Sequence, residues 1–373
     1  MLTPRSTLTR RIVSALDASP SRIPVLVGGC GSGRTTLVQQ VRDRIGRGAT
    51  LAMNVERTAT TPERFRGALA AASPLPAGET PAPGARAAFE ATLDFFSHAR
   101  TSGGEPVTFL LDEFLEFRTF ESFPGLRRVL HELIDGIALS GNRFVLTSRY
   151  EVRTLRLLRD RSARFEVIHM PGLTVEDTLD IVGMAAASDA GDAEYTARTV
   201  HALADGRPAY VCALADELAS MRAHRGGDPM SALSSLLVPD GRLSTLCRFC
   251  YELRLHRARG YGALKAILDI LGEEEGLTLT EISQRLRRTP GSTKDYLSWL
   301  EDVDLVTARQ KRYSFSDPLL RVWVRLHCRA ATPSEDDLAL EVHRYAQPRL
   351  PPPEPALVMA AAGSAPSGII EID

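Results

Sequence analysis

Ile23-Pro24-Val25-Leu26-Val27-Gly28-Gly29-Cys30-Gly31-Ser32-Gly33-Arg34-Thr35-Thr36 is the stretch on which the fold turns. Its five apolar residues suffice for one buried strand, and Leu37-Val38-Gln39-Gln40-Val41 continues at helical spacing. Between them lies a loop with four glycines, Gly28, Gly29, Gly31 and Gly33. Strand, glycine-rich loop and helix match the phosphate-binding pattern G-x-x-x-x-G-K-[ST] at every position but one, where Arg34 replaces lysine. Glycines let successive backbone N–H groups converge on an anion, and the helix N-terminus adds its positive dipole end. Gly28, Gly31, Ser32, Gly33, Arg34, Thr35 and Thr36 are therefore candidate phosphate contacts. The Thr35 hydroxyl is also a candidate Mg²⁺ ligand.

Arg34 keeps the positive charge of the expected lysine but is bulkier, planar and forked. Binding of a nucleotide can survive such a change while hydrolysis slows. Drift from Lys to Arg is the alternative, because the chain has only three lysines, Lys265, Lys294 and Lys311.

A second motif follows about 75 residues later. Val107-Thr108-Phe109-Leu110-Leu111-Asp112-Glu113 is an apolar run ending in two carboxylates. Asp112 is placed to hold Mg²⁺ and Glu113 to polarise an attacking water, with Glu116 a weaker substitute for either. Arg143-Phe144-Val145-Leu146-Thr147-Ser148-Arg149 predicts a further buried strand, and resemblance to NTPases with an inserted strand implies that it lies between the two motif strands. Thr147 or Ser148 would touch the water or the γ-phosphate, and Arg149 would sense that phosphate. Strands are also expected at 50–55 and 165–169, with helices at 86–101, 124–139 and 151–161. Alternation of this kind implies a parallel sheet with helices on both faces. Residues 73–85, rich in Pro, Ala and Gly, read as a loop.

The strand pattern stops after residue 171. Helices are expected at 174–187, capped by Thr174 with Asp177, at 192–204 and at 207–221. Gly206 ends one helix and Pro208 opens the next. Residues 261–329 read as three helices, the second capped by Thr280, followed by the hairpin 306–315. Three helices and a hairpin make a winged helix-turn-helix. Residues 281–329 hold ten Lys/Arg and six Asp/Glu, a local positive excess of four. Ser292, Thr293, Lys294 and Tyr296 are candidate DNA contacts on the third helix, and Arg309, Lys311 and Arg312 on the wing. Protein contacts or internal packing are the alternative use of such a module. Trp299, Leu297 and Leu300 read as core.

Composition sets the outer limits. The 373 residues are 44% hydrophobic and 24% charged, which excludes a mainly disordered chain. Forty-five basic residues against 46 acidic ones exclude a polycation, so any nucleic-acid surface is local. No apolar run is long enough to span a membrane, and the N-terminus lacks a signal core, so a cytoplasmic protein is expected. Five scattered cysteines do not suggest a disulfide framework, and Cys247 and Cys250 read as core residues rather than a metal knuckle.

Together the loop 28–36, Leu110-Leu111-Asp112-Glu113 and Leu146-Thr147-Ser148-Arg149 resemble the archaeal-type ATPases of the STAND branch of AAA+-related P-loop proteins. Gly206-Arg207-Pro208 resembles the lid GxP motif of that family. Tyr313-Ser314-Phe315-Ser316-Asp317-Pro318-Leu319-Leu320-Arg321-Val322-Trp323 resembles the segment closing its winged helix. The resemblance covers about residues 10–330; origin-recognition ATPases share the plan more distantly. It implies an α/β P-loop NTPase core of the ASCE type (1–171), an all-α helical lid (172–240) and a winged helix domain (241–330); by composition, residues 331–373 read as a mostly disordered Pro/Ala-rich tail. ATP and Mg²⁺ are the implied cofactors. Arg34, Thr35 and Thr36 would contact phosphate and Mg²⁺. Asp112 and Glu113 would be the Walker B pair, Arg149 the γ-phosphate sensor and Pro208 the adenine contact. The expected function is an ATP/ADP switch, slow in turnover, that repositions its winged helix on double-stranded DNA. A nucleotide-dependent scaffold with a protein partner or self-association is the alternative, as is a degenerate ATPase that binds without turnover. Gly368-Ile369-Ile370-Glu371-Ile372-Asp373 reads as a short docking strand.

Overall fold

A computed structural model describes residues 5–73, 82–185, 190–224, 227–256, 258, 260–329 and 331–350. Strands β1 (Ile23–Val27), β2 (Thr50–Asn54), β3 (Thr108–Asp112), β4 (Arg143–Ser148) and β5 (Phe165–His169) form a parallel sheet in the order β2-β3-β4-β1-β5. β4 therefore lies between the glycine-loop strand and the acidic strand, with Val25 opposite Leu146 and Leu110 opposite Val145. This register brings the ends of β1, β3 and β4 to one edge, where Gly28, Asp112 and Ser148 follow or finish their strands.

The alternation of side chains along each strand builds two cores. Leu26, Leu110, Val145 and Ile168 meet Ile12 and Leu16 of α1 (Ser6–Leu16) and Leu37, Val38 and Val41 of α2 (Arg34–Ile45). On the other face Val25, Phe109, Leu111, Phe144 and Leu146 are buried. They pack under the one-turn α3 (Val55–Thr58), α4 (Pro62–Ala72), α5 (Ala85–His98) and α6 (Val129–Leu139). Phe109 stacks on Phe144 at 5.2 Å between ring centres and meets Phe96 edge-on at 4.9 Å. Pro62 at the first turn and Thr61, whose hydroxyl accepts from Arg64 N, start α4. α7 (Glu151–Leu158) leaves the end of β4.

Beyond β5 come α8 (Val175–Ala185), α9 (Ala190–Ala204), α10 (Pro208–His224), α11 (Pro229–Leu237) and α12 (Arg242–Leu255). The Thr174–Asp177 capping box forms as expected, each side chain accepting from the other's backbone N–H. Next are α13 (Tyr261–Glu273), β6 (Leu277–Thr278), α14 (Leu279–Leu286), α15 (Pro290–Asp302), β7 (Val306–Arg309), β8 (Arg312–Phe315) and α16 (Pro318–His327). β6, β8 and β7 pair antiparallel in that order. The hairpin turn has Gln310 and Lys311 both at positive φ, the twist that suits a two-residue connection.

Several expectations are corrected. Thr278, not Thr280, caps α14, because its hydroxyl accepts from Glu281 N while the Glu281 carboxylate accepts from Thr278 N. Residues 331–346 are not a loose tail: α17 (Glu335–Ala346) is opened by a Ser334–Asp337 capping box. Glu341 of α17 takes both arms of Arg325, and Tyr345 Oη donates to Leu203 O. Residues 351–373, with the expected docking strand, lie outside the described residues, as do 74–81 of the expected loop. Cys247 and Cys250 are buried in the core as read, and the five cysteines are free. Among the described residues, no helix is long and apolar enough to cross a membrane.

Candidate functional site

The glycine loop closes a cavity of about 640 Å³ at the sheet edge. Gly31 at φ 76° and Gly33 at φ 83° turn the chain into α2 through backbone that favours glycine. A Cβ on Gly31 would also stand 2.8 Å from the Ala209 Cβ, so the loop lies directly against α10. Ala209 N donates to Gly31 O at 3.1 Å, which ties the first turn of α10 to the loop. Pro208, Ala209, Cys212 and Ile181 line the wall opposite Ser32, Gly33, Arg34, Thr35 and Thr36. The cavity thus joins a cradle of backbone amides to an apolar wall.

Asp112, at the end of β3, gathers three donors. Thr147 Oγ1 donates to Oδ1 at 2.5 Å, while Thr35 Oγ1 and Asn54 Nδ2 donate to Oδ2 at 3.3 and 3.2 Å. A hydroxyl and a carboxylate held side by side at the loop's end are hard oxygen donors, which fit Mg²⁺. Glu113 follows at φ 59°, a left-handed conformation costly for a residue other than glycine. It is fixed there by Glu113 N donating to Thr147 Oγ1 at 3.0 Å and by Arg149 N donating to Glu113 Oε2 at 3.0 Å.

The Glu113 carboxylate is buried between two guanidinium groups. Arg34 Nη2 lies 2.6 Å from Oε1 and Arg149 Nε 3.0 Å from Oε2. Burial alone would raise the Glu113 pKa, but Arg34 and Arg149 more than offset it and hold it below the usual carboxylate value. Arg34 also bends back over the loop, with Nη1 donating to Gly29 O at 2.8 Å. Arg149 forks onto Glu56 at 3.1 and 2.5 Å. Glu56 is a partner that sequence reading missed; its only signal is its position two residues beyond β2.

The structure brings Gly28, Gly31, Ser32, Gly33, Arg34, Thr35, Thr36, Asp112, Glu113, Arg149 and Pro208 to this one edge. The candidate DNA contacts divide differently. Lys294, Arg309, Lys311 and Arg312 are exposed and Ser292 is half-buried. Thr293 is fully buried, its hydroxyl donating to Thr289 O, and cannot reach DNA. It falls in the inward stripe of α15 with Leu297 and Leu300. Arg153 and Arg156 of α7 face the C-terminal helices: Arg153 sits over Trp299, and Arg156 pairs with Asp302 at 2.8 and 2.5 Å.

The parallel sheet, with the glycine loop leading from β1 into α2, is a fold shared with a solved ATPase structure. The chain is similar to a Walker-type ATPase of Pyrococcus abyssi, with TM-score 0.63, 15% identity, and coverage of 86% of this chain and 95% of that one. The ORC1 protein of Aeropyrum pernix, solved in complex with DNA, aligns with TM-score 0.49 and 16% identity over 92% of this chain and 93% of its own. A STAND protein with a tetratricopeptide repeat sensor from Pyrococcus horikoshii aligns with TM-score 0.37 and 13% identity over 92% and 45%. No protein-family model matches this chain, and no curated protein matches it by sequence.

Proposed function

We propose that this chain is an ATP-binding switch that hydrolyses slowly and whose nucleotide state repositions a C-terminal winged helix on double-stranded DNA. The observation that carries this reading is an unbroken line of contacts from the loop to α15. Arg34 holds Glu113, Glu113 holds Arg149, and α7 starts two residues after Arg149. The first amides of α7 are capped from the C-terminal part, Glu151 N donating to Asp304 Oδ2 at 2.6 Å and Val152 N to Oδ1 at 3.4 Å. Asp304 closes the turn after α15. A second line runs through the lid, where Tyr210 Oη donates to Asp317 Oδ2 at 2.7 Å and Arg207 pairs with the same carboxylate at 3.3 Å.

In this reading the loop amides and Arg34 bind the phosphates, and Pro208 lies against the adenine. Thr35 and Asp112 would hold Mg²⁺, which would supply charge neutralisation at the phosphates. Glu113 orients and polarises the water, and it is free to do so only when Arg34 and Arg149 turn to phosphate. That requirement supports slow turnover. Lys294, Arg309, Lys311 and Arg312 would meet DNA phosphates.

Binding of a fluorescent duplex by the full chain, with and without ATP and Mg²⁺, tests the proposal. Four phosphate contacts give a salt slope of about −3.6, so raising salt from 50 to 200 mM should cost about 10²-fold in affinity. The slope should shrink when Lys311 and Arg312 become Glu. Binding that ignores salt, both substitutions and nucleotide would refute it and favour a protein partner. One observation favours that second reading: the C-terminal half of α15 is already packed on α7 through Trp299 and Asp302.

A further inference from the structure

Helix α12 runs along the glycine loop. Leu246, Cys250 and Arg254 recur at intervals of four and so share one face of the helix. Leu246 Cδ2 lies 3.8 Å from where a Gly31 Cβ would stand, and Arg254 Nη2 lies 3.5 Å from where a Gly29 Cβ would stand. Between them the Cys250 thiol meets the Cys30 sulfur. Three successive turns of α12 thus abut residues 31, 30 and 29 of the loop.

Arg254 differs from the other arginines at this edge. Arg34 is paired with Glu113, Arg149 with Glu113 and Glu56, and Arg207 with Asp317. Among the described residues, Arg254 has no carboxylate within ion-pair distance. Its Nη1 donates to the Asp304 carbonyl at 3.3 Å, and the Asp304 and Asp317 carboxylates act on it only from beyond ion-pair distance. The residue is only 6% exposed. This buried guanidinium has no direct ion pair, and it lies against the glycine loop.

We propose that Arg254 is a phosphate ligand supplied in cis by the C-terminal part of the chain, and that it binds the terminal phosphate of a nucleoside triphosphate. The inference rests on the nucleotide-binding reading and deepens it. Gly29 lies on the terminal side of the loop, because its carbonyl takes the tip of Arg34, whose other arm holds Glu113. The inner phosphates belong at the opposite end, where Gly33 leads into α2. The Cys30 thiol is lowered first by its hydrogen bond with Cys250 and then by Arg254, Arg149 and Arg34, against the effect of burial. The terminal phosphate would give Arg254 the direct ion pair it lacks, so ATP would hold α12 against the loop more firmly than ADP would.

The test is equilibrium binding of ATP, ADP and inorganic triphosphate to the full chain, as wild type, Arg254→Gln and Arg254→Lys, with melting temperatures measured without ligand. A charged hydrogen bond is worth roughly 1.5–3 kcal/mol, so Arg254→Gln should weaken ATP and inorganic triphosphate about 10- to 100-fold and ADP less than about threefold. Arg254→Lys should recover part of the loss. The melting temperature without ligand separates a loss of packing from a loss of binding. Equal losses for ATP and ADP together with a lower melting temperature would mean a packing role and overturn the inference. So would a variant that binds ATP like wild type. If Arg254→Gln does not fold, an Arg254→Lys protein that loses ATP affinity several-fold while keeping ADP affinity upholds the inference, and one that binds both as wild type does overturns it. A wild type that binds none of the three overturns the nucleotide reading as well.

Discussion

Replacing Glu113 by Gln separates the energetics of the site from its chemistry. The Glu113 side chain is 8% exposed and carries Arg34 at 2.6 Å and Arg149 at 3.0 Å. Gln keeps the shape but leaves Arg34 with no carboxylate and Arg149 with Glu56 alone. Removing one partner of a buried pair costs about 3–5 kcal/mol. For a folding unit of about 150–250 residues, this is a fall in melting temperature of roughly 6–20 °C. Mg²⁺ with ATP should restore more stability to Glu113→Gln than to wild type, because phosphate replaces the lost negative charge between the two arginines. Hydrolysis should fall in the same variant. The effect also has a pH signature. Glu113 has a folded pKa depressed below 4.5, so its stabilisation is present above that value and is lost as pH falls through the folded pKa. The gap between variant and wild type should therefore narrow in acid. Thermal unfolding at pH 7, with and without Mg²⁺ and ATP, decides the matter. A variant that melts with wild type and gains no more from ATP would refute this account of the site.

The core and the interdomain cap give two more expectations. Phe109→Ala removes a ring packed against Phe96 and Phe144 and should destabilise by about 3–5 kcal/mol, read by denaturant unfolding. Burial raises Asp304 to about 6, with Arg254 and the Glu151 amide opposing. With its folded pKa above its unfolded one, the group's stabilising contribution is complete below about pH 4 and is lost as pH rises through about 6. Asn keeps a capping oxygen and does not titrate, so Asp304→Asn should gain roughly 1 kcal/mol on wild type between pH 5 and 8. Melting temperatures at the two pH values check this, and a gap that shrinks over that range would contradict it.

How legible the molecule was depends on how local each signal is. The five strands and the phosphate loop were readable because strand, loop and helix are contiguous and their residue types follow from backbone chemistry. The insertion of β4 between β1 and β3 followed from the resemblance to NTPases with an inserted strand. α8, α10 and α15 were readable from caps and glycines. α17 was hidden by the Pro-rich sequence after it, although Ser334 with Asp337 and the spacing of Leu338, Val342 and Tyr345 signalled a capped amphipathic helix. Thr293 was misread because its helical phase with Leu297 and Leu300 was not weighed against its polarity. Glu56, Asp304 and Arg254 were beyond sequence reading: each acts on a group 50 or more positions away, at contacts that only the packed chain defines. Their roles come from burial without a neighbouring charge, or from charge across an interface.

The central claim is that this site binds ATP and that Arg34 slows its turnover. Paired measurement of ATP binding and single-turnover hydrolysis with Mg²⁺, on wild type and Arg34→Lys, tests it most directly. The account predicts binding by both proteins and faster turnover by the lysine variant, because a compact ammonium releases Glu113 from the 2.6 Å pair. Absence of binding by both proteins would contradict it.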